Sequence, residues 1–161
     1  MRSQAIEDLS ADDVKVMLMQ RGFFDRFLHK AGKGIPHLYD SNTHKGLVTD
    51  HSTGLMWQQS SVSPKFLCFA QLEEYVNEMN QKQFAGFSDW RLPTLEEVMS
   101  LMECKRKNGD FYINPIFEHK NPWTWTADMS STSSHCWIAD FFNGRCGELH
   151  VQSPGCVRLV R

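Results

Sequence analysis

The chain has 161 residues, of which 41% are hydrophobic and 22% are charged. These proportions exclude a disordered tail and suit one folded domain, and a formal net charge of −2 gives no overall basic field for nucleic acid. No apolar run reaches the roughly 18 to 20 residues of a membrane span, and the N-terminus lacks the apolar core of a signal peptide. We therefore expect a soluble, cytoplasmic chain without membrane insertion, with surface display or secretion by another route as the alternative.

Capping residues and apolar spacing predict three helices. The first begins after Ser10 and ends at Gly22, a residue type that readily closes a helix. The second begins near Ser63–Pro64, where a capping residue precedes a first-turn proline. The third begins after Thr94, and Glu97 completes a capping box three residues later.

Short strands are predicted for much of the remaining chain. Leu47–Thr49 and Leu55–Gln58 flank a turn at residues 50–54, which indicates a hairpin. Trp123–Thr126 alternates tryptophan and threonine, as a half-buried strand does. The serine- and threonine-rich residues 128–134 have no periodicity and predict a loop.

A second hairpin is predicted near the C-terminus. Cys136–Phe142 and Arg145–Val151 flank Asn143–Gly144, a strong signal for a two-residue turn. Strand alternation puts the following side chains on one face: Cys136, Ile138, Asp140 and Phe142. Val157–Val160 predicts a last short strand. Because most helices come first and most strands last, the order favours an α+β fold over an alternating α/β fold.

The five cysteines are an odd number, so they cannot all pair within one chain: Cys68, Cys104, Cys136, Cys146 and Cys156. We expect reduced, partly buried thiols, because no export signal is present. One disulfide between neighbouring strands, or a zinc site that includes His135 and His150, is the alternative. The same histidines could form a Cys–His nucleophile pair, which would need a lowered thiol pKa. We expect no cofactor.

Four segments, in order along the chain, carry a family resemblance: Thr49–Gln58 (TDHSTGLMWQ), Gly86–Glu97 (GFSDWRLPTLEE), Trp125–Ala127 and Val157–Arg161. They resemble the DUF1566 family, which includes the C-terminal domain of the Legionella collagen-like adhesin. The resemblance covers residues 44–161, which we treat as the family domain. Residues 1–43 are then an N-terminal helix with a wrapping linker.

The resemblance implies a C-type-lectin-like fold, with helices packed around a small, mostly antiparallel sheet and an extra N-terminal helix. It also implies a distant similarity to formylglycine-generating enzymes and to variable proteins of diversity-generating retroelements. The close cysteine pair of the enzyme branch is not matched, because Cys146 and Cys156 are ten residues apart. The oxygen ligands that calcium requires are not evident around Asp140 either.

Several residues of these motifs are expected to hold the fold together. The large rings of Trp57 and Trp90 should be buried. Arg91 can pair with a glutamate of the third helix or with a strand-end carbonyl, and Arg158 predicts a structural ion pair. In the N-terminal part, an apolar group should dock on the family domain rather than on a partner, because exposed apolar patches are rare on monomers. This group consists of Met17, Leu18, Phe23 and Phe24.

A non-catalytic recognition or adhesion module is the function that these observations favour, with a protein or glycan as its ligand and nucleic acid excluded. The alternatives are a thiol- or metal-dependent enzyme of the formylglycine-generating type and a regulatory or assembly module. Polar residues beside tryptophans in the C-terminal region have the composition of binding loops. We expect one surface to be lined by Trp125, Asp128, His135, Trp137, Asn143, Arg145, Glu148 and His150.

Overall fold

The structure is a computed structural model that describes residues 1–60, 66–118 and 122–161. Over these ranges the architecture is α+β, as the order of predicted elements indicates. The α-helices are α1 (Ala11–Arg21), α2 (Leu72–Gln81) and α3 (Leu95–Ser100), with short 3-10 helices at Phe69–Gln71 and Phe84–Gly86. None of the described helices combines the length and apolar character needed to span a membrane.

The strands form two antiparallel sheets of three strands each within the described residues. The first sheet has the order β1 (Tyr39–Asp40), β2 (Leu47–Asp50) and β3 (Leu55–Gln58). The second sheet has the order β4 (Trp123–Met129), β5 (His135–Asp140) and β6 (Arg145–His150). Both predicted hairpins are therefore present, as β2–β3 and as β5–β6.

Two helices begin where their capping residues predict, and the first also ends at its predicted residue. The Ser10 hydroxyl accepts a hydrogen bond from the backbone N–H of Asp13, and Gly22 closes α1 in the left-handed conformation, with φ of 69°. At α3, the Thr94 hydroxyl accepts from the N–H of Glu97, whose carboxylate accepts from the N–H of Thr94 at 2.9 Å. The capping box is confirmed.

The second helix begins later than the sequence predicts. Its expected cap, Ser63–Pro64, lies outside the described residues, and residues 66–68 are not helical. Leu67 instead exchanges two backbone hydrogen bonds with Gly155, at 2.9 and 3.0 Å, which holds it extended. The chain turns through a 3-10 helix before α2 starts at Leu72.

Two strand ends differ from the prediction by more than one residue, those of β5 and β4. In the second hairpin, Asp140 pairs with Arg145, so the turn has four residues, 141–144, rather than two. The Asp140 carboxylate accepts from the backbone N–H groups of the turn residues Phe142 and Asn143, which bends the chain there. The predicted loop at residues 128–134 begins later, because β4 continues to Met129.

The last predicted strand is replaced by an extended segment with isolated bridges. Val160 exchanges backbone hydrogen bonds with Arg91, at 2.9 and 3.0 Å, and also bridges to Trp57. Backbone hydrogen bonds to β3 continue over residues 159–161 only, so within the described residues Val157–Val160 is not a strand along its whole length. The segment nevertheless ties the first sheet to the residues that precede α3.

The core lies on both faces of the second sheet. Trp137 and Ala139 belong to an apolar cluster that includes residues of α1 and α3, whereas Cys136 and Ile138 belong to a cluster on the other side. This confirms the predicted alternation of β5. Trp57 and Trp90, the tryptophans of the recognised motifs, are buried as expected: Trp57 is in the first cluster and Trp90 in the second.

The N-terminal apolar residues dock on the same chain, as predicted. Leu18, Phe23 and Phe24 are buried in the first cluster, and Met17 packs partly buried against it. The division of the chain at residue 44 stays a prediction.

Among the described residues, Arg158 does not form the expected ion pair. Its guanidinium is buried and donates to the backbone carbonyls of Gln58 and Gln59, each at 2.5 Å, and of Glu118 at 2.9 Å. It also lies over the ring of Phe117, 4.9 Å from the centroid. Burial lowers the pKa of Arg158 to about 9, because desolvation penalises the charged form. The residue joins three backbone segments by hydrogen bonds.

Candidate functional site

Three of the eight residues that the sequence assigns to a binding surface are in the interior. Trp125 and Asp128 are 0% exposed and Trp137 is 3% exposed. The two indole N–H groups donate to backbone carbonyls, Trp125 to Leu67 and Trp137 to Leu9, both at 2.9 Å. These side chains therefore support the fold, and alanine at Trp137 is expected to lower stability rather than to act on a ligand.

Asp128 joins the N-terminal segment to helix α3. Its carboxylate accepts two hydrogen bonds from the Arg2 guanidinium, both at 2.7 Å. It also accepts from the backbone N–H of Ile6 at 2.8 Å and of Leu95 at 2.6 Å. Because Leu95 is the first residue of α3, the carboxylate satisfies a free N–H at the helix start. These four bonds leave the carboxylate no room for a ligand.

The five remaining residues lie at opposite ends of the second hairpin. In β5–β6, His135 pairs with His150 and Trp137 pairs with Glu148, so these side chains share one face. Arg145 lies an odd number of residues from Glu148 and is on the other face. It is also five residues from His150, which corresponds to about 16 Å along the strand. The structure therefore does not bring the eight residues onto one surface.

At the end of the hairpin away from the turn, the side chains of His135, Glu148 and His150 already make hydrogen bonds within the chain. The rings of His135 and His150 contact edge to face at 5.3 Å. Nδ1 of His135 is 2.9 Å from the carbonyl of Ser133, and Nδ1 of His150 accepts from the N–H of Gln152. The Glu148 carboxylate accepts from the Ser130 hydroxyl. In the part of the chain that the structure describes, no three His, Cys, Asp or Glu side chains are grouped as metal ligands.

The turn end of the hairpin carries exposed arginine and aromatic side chains in contact. We call this the arginine–aromatic surface, and it consists of Arg26, Phe27, Arg106, Tyr112, Phe142 and Arg145. Arg26 and Arg145 lie over the ring of Phe27, at 6.0 and 5.8 Å from its centroid. Arg106 lies over Tyr112 and Phe142, at 5.7 and 6.0 Å. These distances are those of cation–π contacts. Asn143, in the turn itself, is adjacent in sequence to Phe142.

A buried carboxylate fixes one part of this surface. Asp25, on the turn that carries Arg26 and Phe27, accepts from the N–H groups of Phe27 and Leu28 at 2.8 Å. Its other oxygen accepts from the N–H of Cys146 at 2.7 Å, which fastens the turn to β6. Arg26 N–H adds a bond to the Gly144 carbonyl at 2.9 Å. The backbone under the exposed side chains is thus held by hydrogen bonds.

The segment that carries Arg106 is fixed to the same hairpin through Tyr112. The backbone N–H of Tyr112 donates to the carbonyl of Phe141 at 2.8 Å. Its ring packs over Gly144, so closely that a Cβ at this position would be 3.0 Å from the ring. Gly144 also has φ of 67°, which side chains other than glycine rarely adopt. Glycine is therefore favoured at position 144 for two reasons: its positive φ and the closeness of the Tyr112 ring.

Exposure and charge make this surface accessible to anions. Phe27 is 69% exposed and Phe142 is 43% exposed. Arg106 and Arg145 contact carboxylates only loosely, with Asp110 at 3.6 Å and Asp140 at 3.9 Å. Arg26 has no ion pair among the described residues. Three carboxylates lie near these three guanidinium groups, and two of them, Asp25 and Asp140, are buried beneath the surface, so Asp110 is the exposed one.

The sequence reasoning found Asn143 and Arg145 of this region but missed the other residues. They come from segments that are distant in the chain, around residues 25–27 and 106–112, and no short motif links them. Phe142 was within the predicted strand. Its neighbour Phe141 is buried whereas Phe142 is exposed. Two consecutive phenylalanines in the sequence do not indicate which of them is exposed.

The buried thiols are not activated. Burial raises the pKa of Cys136 to about 12 and that of Cys156 to about 11. Burial and the nearby Asp25 carboxylate raise the pKa of Cys146 well above its usual value. Nucleophilic cysteines need the opposite shift. Cys136 also lies on the strand face opposite that of His135, and all five cysteines are free.

An exposed, positively charged aromatic surface on a rigid α+β scaffold is typical of binding domains. The chain belongs to the Lcl C-terminal domain family, whose model matches residues 46–161. The match confirms the resemblance to the C-terminal domain of the Legionella collagen-like adhesin and makes the chain an adhesin-related module. No curated protein and no solved structure matches the chain.

Proposed function

We propose that this protein is a non-catalytic recognition module that binds acidic groups of a protein or glycan through its arginine–aromatic surface. The observation that carries the proposal is the set of four cation–π contacts at the turn of the β5–β6 hairpin, between three arginines, the exposed rings of Phe27 and Phe142, and the partly buried ring of Tyr112. Asn143 and Arg145, which the sequence analysis selected, are retained as ligand-binding residues. His135, Glu148 and His150 are not part of this proposal.

The chemistry of the surface favours an anionic ligand. A guanidinium group can bind a carboxylate, phosphate or sulfate through two parallel hydrogen bonds. The aromatic rings hold the arginines in place, so less side-chain entropy is lost on binding. Arginine and aromatic residues are also the types that dominate binding energy at protein interfaces. An acidic ligand with an apolar part therefore complements this surface.

The finer fold assignment is part of the same proposal. We infer a C-type-lectin-like arrangement, which is supported by the resemblance, by the helices packed against the second sheet and by the C-terminal position of its hairpin. In such an arrangement the exposed turn positions 142 and 143 can vary and change ligand preference without disturbing the core. A reverse-transcriptase gene next to a repeat of the region that encodes residues 123–161 would support retroelement diversification.

A probe array tests the function. The array carries acidic peptides, carboxylated and sulfated glycans, and neutral versions of each, which separates a protein ligand from a glycan ligand. The test variant replaces Arg26, Arg106 and Arg145 with alanine. The control variant replaces three exposed lysines and has the same net charge: Lys15, Lys45 and Lys82.

The proposal predicts that wild type binds at least one acidic class above its neutral version, and that only the arginine variant loses this binding. A loss of about 1 to 3 kcal/mol per essential arginine is expected. Equal losses in both variants would mean that net charge alone attracts the probes. Binding of neutral probes only, or no binding at all, would refute the proposal.

A further inference from the structure

An apolar cleft lies between the N-terminal segment, α2 and β4, and none of its lining residues belongs to the arginine–aromatic surface. It has a volume of about 460 Å³, within the range of small-molecule sites. The N-terminal segment, α2, the residues before α3 and β4 each contribute to its wall, with the apolar side chains Ala5, Phe69, Leu72, Val76, Leu92 and Ala127. Most of this lining can bury only an apolar group.

The one positive charge in the cleft wall is already neutralised. Arg91 donates from its two terminal nitrogens to the Glu97 carboxylate, at 2.7 and 2.8 Å. One of these nitrogens also contacts the Leu92 carbonyl at 3.3 Å. The Arg91–Glu97 pair, which confirms the sequence prediction for Arg91, therefore leaves no free cation to bind an anionic ligand in this cleft.

The rim of the cleft is acidic. Glu73, in the first turn of α2, lies at the rim and is exposed. It also lines an adjoining polar basin of about 570 Å³ together with Glu74 and Glu78 on the same helix. Glu78 pairs with Lys82. Among the described residues, Glu73 and Glu74 have no ion pair.

We propose that this cleft binds a small hydrophobic amine, with its apolar body against Val76, Leu92 and Phe69 and its ammonium group beside Glu73. The apolar lining and the unpaired carboxylate at its edge complement the two ends of such a ligand. An amine would also exchange the solvation of Glu73 for a charge-assisted hydrogen bond. The site is distinct from the arginine–aromatic surface, where the opposite charge selects acidic groups.

Three ligands with the same eight-carbon chain separate the two parts of the site: octylamine, octanol and octanoate. Their binding is measured by titration against ¹⁵N-labelled protein, with chemical-shift changes followed at residues 69–76, 92 and 127. The proposal predicts that octylamine binds most tightly, octanol less tightly and octanoate least. Salt should weaken octylamine binding and leave octanol binding unchanged.

Two variants and one control locate the contacts. Glu73→Gln should lower octylamine affinity about threefold to tenfold, corresponding to about 0.7 to 1.4 kcal/mol, and leave octanol affinity unchanged. Ala70→Trp, at an exposed position on the cleft wall, should block all three ligands without unfolding the protein. Glu7→Gln, an exposed glutamate outside the cleft, should change nothing.

Several results would overturn the proposal. Equal affinity for the three ligands would show that Glu73 selects no charge, and tighter octanoate binding would show that Arg91 is free after all. Shift changes confined to other regions, or no binding by any ligand up to its solubility, would show that the cleft is not a site. A melting temperature for each variant separates loss of binding from loss of fold.

Discussion

Replacement of Asp128 by alanine should destabilise the protein by about 3 to 5 kcal/mol, because it removes the buried acceptor of four hydrogen bonds. The substitution removes two bonds to the Arg2 guanidinium and one each to the N–H groups of Ile6 and Leu95. It leaves the N–H of Leu95, at the start of α3 and inside the fold, without an acceptor.

A matched variant shows where that energy comes from. Arg2→Ala removes the same ion pair from its more exposed side, since the Arg2 side chain is 24% exposed. The Asp128 carboxylate then keeps both backbone donors, and water can reach it from the partly exposed side that Arg2 leaves, so we expect a smaller loss of about 1 to 3 kcal/mol.

Urea unfolding of wild type, both single variants and the double variant measures these losses and the coupling between the two residues. The losses should not add, because either substitution breaks the same contact. Additive losses, or an Asp128→Ala loss below that of Arg2→Ala, would refute the structural role of Asp128. If the Asp128→Ala variant had normal stability and reduced ligand binding, Asp128 would instead be a ligand-binding residue.

Three further predictions concern other parts of the chain. Burial alone would lower the pKa of His37, but its hydrogen bonds to Asp50 at 2.7 Å and to the Ser100 carbonyl at 2.8 Å raise it overall. The free energy of unfolding that the His37–Asp50 contact contributes should be fully present below about pH 6.5 and should be lost as pH rises through the raised pKa of His37. The difference in urea stability between wild type and His37→Gln should therefore shrink from pH 5.5 to pH 9. Gly144→Ala should cost more than Gly46→Ala, by at least about 1 kcal/mol in unfolding free energy, since both have positive φ but only Gly144 lies against a ring. Thiol titration of the native protein should modify Cys136 and Cys146 only after unfolding, and fast labelling of either would contradict their burial.

Local signals made most of the fold predictable. Caps at Ser10 and Thr94 act within one helical turn, so the sequence around them is sufficient to place α1 and the start of α3. The burial of Trp57 and Trp90 agrees with the large apolar area of their rings. In contrast, the start of α2 depends on the pairing of Leu67 with Gly155, a contact between distant residues that no local pattern contains.

The candidate site was much less predictable, for a related reason. Polar residues near tryptophans suggested one surface, but Trp125 and Trp137 point into the two clusters on either side of the second sheet. Asp128 has the side chain of a ligand-binding residue, and its burial depends on Arg2, 126 residues away. The arginine–aromatic surface is built from three segments, and only their packing against the hairpin shows that Arg26 and Arg145 share the ring of Phe27 and that Arg106 contacts Phe142 of the turn.

Chemical-shift mapping with an acidic probe tests the central claim most directly. ¹⁵N-labelled protein is titrated with an octaglutamate peptide, with a sulfated disaccharide and with a neutral version of each. The account predicts that an acidic probe shifts residues 25–27, 106–112 and 142–145, and that the shifts disappear when Arg26, Arg106 and Arg145 are replaced by alanine. Shifts centred on His135, Glu148 and His150, or shifts that persist in the arginine variant, would contradict it.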